Sequence, residues 1–286
     1  MTLLLCDLII NNLMEGSMKD YLAEDIGGGD ITTNAIVPED HVSKAVIMAK
    51  EDGVIAGQSL AAGVFKELDN EFIYEEIKRD GQYAKKGDTI AIVRGKTRAV
   101  LTGERVALNI LQRLSGIATL TRRFVDAVEG TGVRILDTRK TSPGHRAKEK
   151  YAVRMGGGVN HRADLSEMAL IKENHISVAG SIKEAVKRIR DVSEVPIEVE
   201  VKNMAELKEA LEEHVDRIML DNWNAGSIQE AVSFVNKRIP IEVSGNMNLE
   251  KIRDVAKTGV EFISVGALTH SFKSLDISLL HEKVLK

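Results

Sequence analysis

Hydrophobic and polar positions follow two different rhythms along this chain. Between about Ser43 and Val100, apolar residues recur at every second position in short stretches, and glycines separate these stretches. A period of two with glycine-containing turns is typical of β-strands joined by tight turns. Nearer the N-terminus, the apolar run at 3–10, which Asp7 interrupts, predicts a packed amphipathic helix.

Helical periodicity begins at Thr102, which is a candidate N-cap, and Ser115 is a candidate cap for a second helix that ends near Gly130. This interpretation places Arg105 in the first turn of the first helix. A cation is unfavourable there because the N-terminal end of a helix carries partial positive charge. Arg105 is therefore a candidate functional residue only if it meets an anion.

From Val133 onward, strands and helices alternate. The candidate strands are Val133–Asp137, Met168–Lys172, Ile197–Val201, Arg217–Leu220, Ile241–Val243 and Glu261–Val265. The candidate helices are Ser181–Asp191, Ala205–Glu213, Ser227–Lys237 and Asn248–Lys257, the last with Asn248 as its N-cap. The segments 196–199 and 240–243 both read Pro-Ile-Glu-Val, which indicates repeated βα units. This alternation predicts a parallel sheet, closed or nearly closed into a barrel.

The active site of such a barrel lies at the C-terminal ends of its strands. The residues at those ends supply cations, then carboxylates, then turns of small residues. In strand order they are Asp137-Thr138-Arg139-Lys140, Lys172-Glu173-Asn174-His175, Glu198-Val199-Glu200, Asp221-Asn222, Ser244-Gly245-Asn246 and Gly266-Ala267. A rim of this composition favours a substrate that carries several negative charges.

Two kinds of cation are distinguished by position. Arg139, Lys140, Arg162 and Lys172 lie at predicted strand ends or beside a glycine run, and we interpret them as anion-binding residues. The charged segment 148–150 is interpreted instead as the solvated face of a helix.

The small-residue turns and the carboxylates have more specific interpretations. Ser244-Gly245-Asn246 and Gly266-Ala267, each expected to open a helix, resemble a phosphate site built from backbone N–H groups. Glu200 and Asp221 are either buried carboxylates paired with the cations or groups that bind Mg²⁺ or ribose hydroxyls.

Composition narrows the class of protein. The 286 residues include 39 basic and 43 acidic ones, for a net charge of −4, and only 4% are aromatic. A nucleic-acid binder needs a basic face and stacking rings, so that class is disfavoured. The single cysteine, Cys6, excludes an internal disulfide and a cysteine-rich zinc site and favours a reducing compartment. No segment predicts a membrane span, and we expect a cytoplasmic protein.

Several long motifs resemble the quinolinate phosphoribosyltransferase family, in the family's order and over nearly the whole chain. They read EDIGGGD at 24–30, DTRKT at 137–141, GGGVNHR at 156–162, LDN at 220–222 and GALTHS at 266–271. The resemblance implies an α/β protein: an N-terminal α/β sandwich domain, 1–112, joined by a C-terminal helix at 271–286, and an open seven-stranded α/β barrel, 113–270. It also implies the reaction of quinolinate with phosphoribosyl pyrophosphate and Mg²⁺, which gives nicotinate mononucleotide, pyrophosphate and CO₂ for NAD biosynthesis.

The resemblance further implies roles for individual residues. Quinolinate is held by Arg139, His161 and Arg162. The other substrate-binding positions are Thr138, Lys140 and Lys172, with the 5-phosphate on Ser244, Gly245, Asn246, Gly266 and Ala267. The expected catalytic residues are Lys140, Lys172, Glu200 and Asp221, and the last two also bind Mg²⁺, directly or through water. Arg105 is donated across the interface of a homodimer, and a hexamer of dimers is the alternative assembly.

Two positions depart from the family, and three other functions stay open. Asn246 stands where the family usually has glycine, although asparagine tolerates the left-handed backbone of such a turn. His145 stands where an apolar residue is usual. The alternatives are a related transferase for another anion, such as one linked to molybdenum transport, a Schiff-base aldolase that uses Lys172, and a non-catalytic binding protein.

Overall fold

A computed structural model describes residues 18–281, which divide between two compact units. The first unit comprises Met1–Leu120, Ala147–Gly157 and Phe272–Lys286, and the second comprises Thr121–Arg146 and Gly158–Ser271. The helix predicted at 3–10, and Cys6 within it, lie outside the described residues.

The elements follow one another in the order that the sequence rhythms predict. The first ones are α1 (18–26), α2 (Ile31–Ile36), β1 (Val42–Ala49), β2 (Gly53–Val54), α3 (Gln58–Leu68), β3 (Ile73–Glu76), β4 (Tyr83–Ala84), β5 (Thr89–Lys96) and α4 (Thr97–Ala127). They are followed by β6 (Arg134–Leu136), α5 (Arg146–Met155), β7 (Ala169–Ile171), α6 (Glu173–Ala179), α7 (Ile182–Arg190), β8 (Ile197–Val201) and α8 (Met204–Glu212). The last ones are β9 (Arg217–Asp221), α9 (Ala225–Val235), β10 (Ile241–Ser244), α10 (Ile252–Ala256), β11 (Phe262–Ser264), α11 (Ala267–His270) and β12 (Ile277–His281).

The first unit is built on a four-stranded sheet in the order β12-β1-β5-β3, whose pairs are antiparallel. On β1, alternate residues Ala45, Ile47 and Ala49 are completely buried. The predicted period of two is confirmed, because one face of the strand packs on the core while the other stays partly exposed.

The helix after this sheet is continuous, so the prediction of two helices with caps at Thr102 and Ser115 is wrong. Both residues lie inside α4, and their hydroxyls bond to other segments rather than to their own helix. Thr102 Oγ1 donates to Asp30 Oδ2 over 2.9 Å, and Ser115 Oγ accepts from the backbone N–H of Ala56 over 3.0 Å. A residue that resembles a cap in the sequence can therefore serve a tertiary contact instead.

The predicted C-terminal helix at 271–286 is also wrong within the described residues. Residues 277–281 form β12, which pairs antiparallel with β1 so that Ile277 lies opposite Ala49. Ile277 and Leu279 are buried whereas Leu280 is exposed. This alternation has the period of a strand, and the bonds of β1 make the strand possible.

Segment 148–150 does not form a solvated helix face. Lys148, Glu149 and Lys150 lie on α5 and are 6%, 0% and 4% exposed. Lys148 Nζ donates to the hydroxyl of Tyr21 over 2.7 Å, and the Glu149 carboxylate pairs with Arg113. Because these partners belong to the same unit and satisfy the charges, the segment tolerates burial.

The second unit is built on a parallel sheet of six strands in the order β6-β11-β10-β9-β8-β7. All six predicted strands are present, and their ends differ from the prediction by at most one residue. The resemblance implies seven strands; in the described residues a single parallel bridge between Val159 and Leu136 continues the sheet beyond β6. The expected α/β architecture is confirmed, and parallel order brings the C-terminal ends of all six strands to one edge.

No helix within residues 18–281 is long and apolar enough to cross a membrane.

Candidate active site

Two adjoining cavities open at the C-terminal ends of the parallel strands. The first has a volume of about 440 Å³, and the predicted residues that line it are Thr138, Arg139, Lys140, His161, Arg162, Lys172, Glu200, Asp221 and Ser244. The second has a volume of about 410 Å³, and it adds Gly245, Asn246, Gly266 and Ala267. The strand-end rule therefore brought together residues from all six strands. Arg105 is not among the described residues that line either cavity.

Arg105 lies in the third turn of α4, because that helix begins at Thr97 rather than near Thr102. Its side chain is exposed. The conflict with the helix dipole disappears, since that effect fades beyond the first turn.

Two arginines lie close together at the first cavity. Arg162 Nη1 donates to the backbone oxygen of Met168 over 2.7 Å, which fixes the plane of the guanidinium. Burial and the charge of Arg139 lower the pKa of Arg162 from its usual value. Arginine nevertheless remains protonated in proteins, so the repulsion between the two favours a bound anion.

Lys140 lies at the border of the two cavities on a pinned backbone. Its N–H donates to Thr138 Oγ1 over 3.0 Å, and its carbonyl oxygen accepts from Thr269 Oγ1 over 2.9 Å. The exposed ammonium is thus carried by a fixed main chain and can follow a flexible anion.

Lys172 follows the last residue of β7 and faces a carboxylate. Its Nζ lies 3.5 Å from Glu200 Oε2, and its side chain is 48% exposed. The backbone N–H of Lys172 donates to His175 Nδ1 over 3.0 Å at the start of α6. The ion pair presents Lys172 as an ammonium that binds anions, whereas a Schiff base requires a neutral amine.

Glu200 and Asp221 end neighbouring strands and line the first cavity together. Asp221 Oδ2 accepts from Asn222 Nδ2 over 2.7 Å, which orients that carboxylate. Mg²⁺ is usually held by one or two carboxylates together with substrate phosphates. Two carboxylates at the edge of a cation-rich cavity match that donor set.

The turn at 244–246 has a left-handed backbone that its residues tolerate. Gly245 has φ of +102°, and a Cβ there would lie 2.3 Å from Asn222 Oδ1. Asn246 has φ of +46°, so the asparagine is accommodated in the left-handed conformation, as its residue type predicts. Asn246 Nδ2 also donates to Asn222 Oδ1 over 3.4 Å.

The expectation that both small-residue turns open a helix is correct for only one of them. Gly266 immediately precedes α11, but α10 begins at Ile252, well after Ser244. Asn248 therefore does not cap α10; its Oδ1 accepts from the backbone N–H groups of Glu250 and Lys251 in the preceding turn.

Beneath the cations is a group of buried polar residues that we name the floor cluster: His161, Glu198, Arg217, Glu242 and Ser264. His161 Nε2 lies 2.9 Å from Glu198 Oε2 and 3.5 Å from Glu242 Oε2. Arg217 Nη1 lies 3.0 Å from Glu242 Oε2, and Ser264 Oγ donates to Glu242 Oε1 over 2.5 Å. Both carboxylates are completely buried.

Burial dominates the electrostatics of this cluster. It raises the pKa of Glu198 to about 7, against the attraction of Arg217. It also raises the pKa of Glu242 to about 7, and the charge of Glu198 adds to that shift. Two carboxyl groups that face each other in a dry site resist double ionisation.

The ligand atoms of His161, Glu198 and Glu242 lie within 4.8 Å of one another, which is compatible with a metal ion. However, Arg217 already supplies a positive charge to Glu242. His161 Nδ1 accepts from the backbone N–H of Arg162 over 2.8 Å, which leaves only one ring nitrogen for a ligand bond. The donors are thus engaged in protein hydrogen bonds, and Glu200 with Asp221 fits a cation better.

Sequence reasoning missed several residues of the site. Glu242, Ser264, Met219 and Leu170 line the first cavity, and His270 lines the second. A signal for the floor was present, since the repeated Pro-Ile-Glu-Val segments place one glutamate in the middle of each of two apolar strands.

Comparisons with known proteins agree with this geometry. Residues 30–115 match the family profile described as quinolinate phosphoribosyl transferase, N-terminal domain, and residues 117–280 match the profile of its C-terminal domain. A probable nicotinate-nucleotide pyrophosphorylase (carboxylating) of Bacillus subtilis is 44% identical over 264 residues, which cover 92% of this chain and 91% of that protein.

Similarity extends to a chloroplastic enzyme and to a solved structure. The chloroplastic nicotinate-nucleotide pyrophosphorylase (carboxylating) of Arabidopsis thaliana is 42% identical over 287 residues, covering 93% of this chain and 82% of the relative. The structure of the nicotinate-nucleotide pyrophosphorylase from Francisella tularensis superposes with a TM-score of 0.92 at 41% identity, covering 95% of this chain and 97% of the other.

Proposed function

The chain belongs to the quinolinate phosphoribosyltransferase family, and from this premise we propose that its two cavities are where quinolinate and phosphoribosyl pyrophosphate bind and react. The protein catalyses quinolinate phosphoribosyl transfer in de novo NAD biosynthesis. This assignment removes the aldolase, the binding protein and the transferase for another anion. The observation that carries the proposal is the convergence of four cations, two carboxylates and a left-handed turn on adjoining cavities.

Quinolinate binds in the first cavity, between Arg139 and Arg162. It is a planar dicarboxylate, and a guanidinium can donate two parallel hydrogen bonds to each carboxylate. Two arginines side by side are costly unless an anion lies between them, which the substrate provides. Thr138 and His161 line the same cavity beside these arginines.

Phosphoribosyl pyrophosphate spans both cavities. Its 5-phosphate lies at Ser244, Gly245 and Asn246 and at Gly266 and Ala267, because the left-handed turn at 244–246 exposes backbone N–H groups. Its pyrophosphate lies near Lys140 and Lys172, the two lysines of the cation-rich side.

Glu200 and Asp221 would hold Mg²⁺, directly or through water, and bind the ribose hydroxyls. When bound, Mg²⁺ neutralises part of the pyrophosphate charge and makes it a better leaving group. The support for this assignment is the donor set, since two carboxylates together with substrate phosphates suit this ion.

The reaction is a displacement at the anomeric carbon of the ribose through an oxocarbenium-like state. The bond to pyrophosphate breaks with its electron pair on oxygen, and Lys140 and Lys172 stabilise that charge. The pyridine nitrogen of quinolinate forms the new bond to carbon. The 2-carboxylate then leaves as CO₂, and a proton takes its place on the ring.

Arg105 completes the site across a homodimer, with a hexamer of dimers as the larger assembly. Its exposed position on α4 supports this, since an arginine donated to a second subunit must reach out from its own. Mixed dimers test it: in an equal mixture of Arg105→Ala and Arg139→Ala chains, random pairing restores about a quarter of the sites. Activity that stays at the level of the separate variants would contradict donation across the interface.

We assign the protein to the cytoplasm. The single cysteine and the acidic net charge of −4 support this compartment. Related proteins carry bacterial, chloroplastic or mitochondrial names, so subcellular fractionation in the source cell is the direct check.

Substitution of Arg162 tests the quinolinate site. A charge-assisted hydrogen bond contributes roughly 1.5–3 kcal/mol, so Arg162→Ala should lower kcat/KM for quinolinate about 10- to 100-fold. The matched control is Arg188→Ala, which removes an exposed arginine paired with Glu184 and should leave kcat/KM unchanged. Near-normal kcat/KM in a folded Arg162→Ala variant would overturn this assignment.

A further inference from the structure

Both ring nitrogens of His161 are used by the protein itself. Nδ1 accepts from the backbone N–H of Arg162 over 2.8 Å, and Nε2 lies 2.9 Å from Glu198 Oε2. Because Nδ1 faces a donor, it carries no proton, and the ring proton is on Nε2, where it is donated to Glu198. The ring has no further N–H with which to bind a carboxylate.

The partner of the ring is itself fixed. Glu198 lies on β8 and Glu242 on β10, and both carboxylates are completely buried. Arg217 and Ser264 bond to Glu242 from β9 and β11, the strands on either side of β10. The acceptor for His161 is therefore held by four neighbouring strands of the sheet and cannot follow a mobile ligand.

The loop that carries His161 has a second anchor on the opposite side. The backbone N–H of His161 donates to Asp137 Oδ1 over 2.8 Å, and Asn160 Nδ2 donates to Asp137 Oδ2 over 2.5 Å. Asp137 is completely buried at the end of β6. Residues 160–162 are thus attached to the sheet from both β6 and β8.

We propose that His161 is a positioning residue rather than a ligand of quinolinate, and that Glu198 and Glu242 position it in turn. The chain of contacts runs from Glu198 through the ring of His161 to the main chain of Arg162. Arg162 carries the guanidinium that faces the first cavity. This inference rests on the proposed placement of quinolinate at Arg139 and Arg162.

The proposal has a functional consequence for the arginine. A shift of about 1 Å in a binding group is enough to lower a rate by as much as 100-fold. Arg162 has a long flexible side chain, so the exact place of its main chain decides where the guanidinium can reach. The floor cluster provides that place, although its carboxylates repel the substrate's own charge.

A pair of substitutions at Glu198 separates positioning from direct binding. Glu198→Gln keeps an oxygen that accepts from His161 Nε2, whereas Glu198→Leu removes the acceptor and frees the N–H. If His161 positions Arg162, Glu198→Leu lowers kcat/KM for quinolinate about tenfold or more, and Glu198→Gln recovers most of that loss. KM for phosphoribosyl pyrophosphate stays within about twofold in both variants.

The opposite result is clearly defined. If His161 binds quinolinate directly, freeing its N–H in Glu198→Leu leaves KM for quinolinate unchanged or lowers it, and the proposal is wrong. Glu184→Gln is the matched control, because Glu184 forms an exposed pair with Arg188 and should change no kinetic constant. Thermal unfolding of each variant shows that the compared proteins are folded.

A spectroscopic measurement on the unmodified protein decides the matter even if Glu198→Leu fails to fold. With ¹⁵N-labelled histidine, the resonances of His161 are identified by their loss in His161→Asn, and they should show a proton on Nε2 alone. Addition of quinolinate should leave that tautomer unchanged. A proton that appears on Nδ1, or a loss of the Nε2 proton, on addition of quinolinate would overturn the proposal. Absence of turnover with quinolinate would instead refute the proposed function, whereas the tautomer of the free protein remains measurable.

Discussion

The rim and the floor of the barrel cavity carry similar residue types and use them in opposite ways. At the rim, the side chain of Lys172 is 48% exposed and its contact with Glu200 is 3.5 Å long. At the floor, Glu198 and Glu242 are completely buried and bonded to neighbouring strands. The rim leaves its charges accessible to a ligand, while the floor satisfies its charges within the protein.

The two layers belong to the same strands and differ by two positions. Glu198 and Glu200 lie on β8, and Glu242 and Ser244 lie on β10. Side chains two residues apart in a strand point to the same face, so each strand supplies one residue to the floor and one to the rim. Distance from the C-terminal edge of the sheet, rather than residue type, decides whether a carboxylate serves structure or substrate.

The largest expected effect comes from opening the floor. Glu242→Ala removes the partner of Arg217 and Ser264, and the loss of one member of a buried ion pair costs about 3–5 kcal/mol. Urea unfolding should show this decrease in the free energy of unfolding. The rim control, Asp221→Asn, should change the same quantity by less than about 1 kcal/mol. Equal losses in the two variants would show that the layers do not differ.

A rim substitution should have the opposite signature, with a loss of activity and little loss of stability. Arg139→Ala should lower kcat/KM for quinolinate about 10- to 100-fold, because one charge-assisted contact is lost. Arg139→Lys should recover only part of it, since an ammonium cannot form two parallel hydrogen bonds. A melting temperature that falls as far as that of Glu242→Ala would place Arg139 among the structural charges.

The floor should also make stability depend on pH. The pKa values of Glu198 and Glu242 rise to about 7 in the folded protein, above those of the unfolded chain. The folded state therefore binds protons more tightly, and stability falls as the pH rises from about 4.5 through about 7, by about 1–3 kcal/mol. The difference between the wild type and Glu242→Gln, measured by urea unfolding at each pH, isolates this contribution. A difference that is constant over this range would contradict the raised pKa values.

The smallest effect is expected at the left-handed turn. Asn246→Gly restores the residue usual in the family at φ of +46°, where glycine carries no steric penalty. We expect a change of less than about 1 kcal/mol in stability and less than about fivefold in KM for phosphoribosyl pyrophosphate. Gly245→Ala is the informative contrast, since its Cβ would lie 2.3 Å from Asn222 Oδ1. It should raise that KM far more than Asn246→Gly does.

The parallel sheet was predictable because its signals are local. Each of its strands is a short apolar run followed by a helix, and the strand-end rule then located the rim residues. The continuity of α4 was not predictable in the same way, because Thr102 and Ser115 bond to Asp30 and Ala56, which are distant in sequence. Strand β12 likewise depends on β1, its partner more than 200 residues away.

Burial of charge was the other property that sequence reasoning missed. Lys148 and Glu149 look like a solvated helix face until Tyr21 and Arg113 are known to contact them. Glu198 and Glu242 form one cluster only because β9 lies between their strands and brings Arg217 to Glu242. The repeated Pro-Ile-Glu-Val segments marked both glutamates, but the strand order was needed to show that they meet.

The central claim is that the rim is built for a pyridine dicarboxylate. The most direct measurement is turnover of the purified protein with phosphoribosyl pyrophosphate and Mg²⁺, with quinolinate and nicotinate compared as acceptors. The account predicts nicotinate mononucleotide and CO₂ in equal amounts from quinolinate, and little product from nicotinate, which lacks the second carboxylate for the two arginines. Comparable kcat/KM for the two acceptors would contradict it.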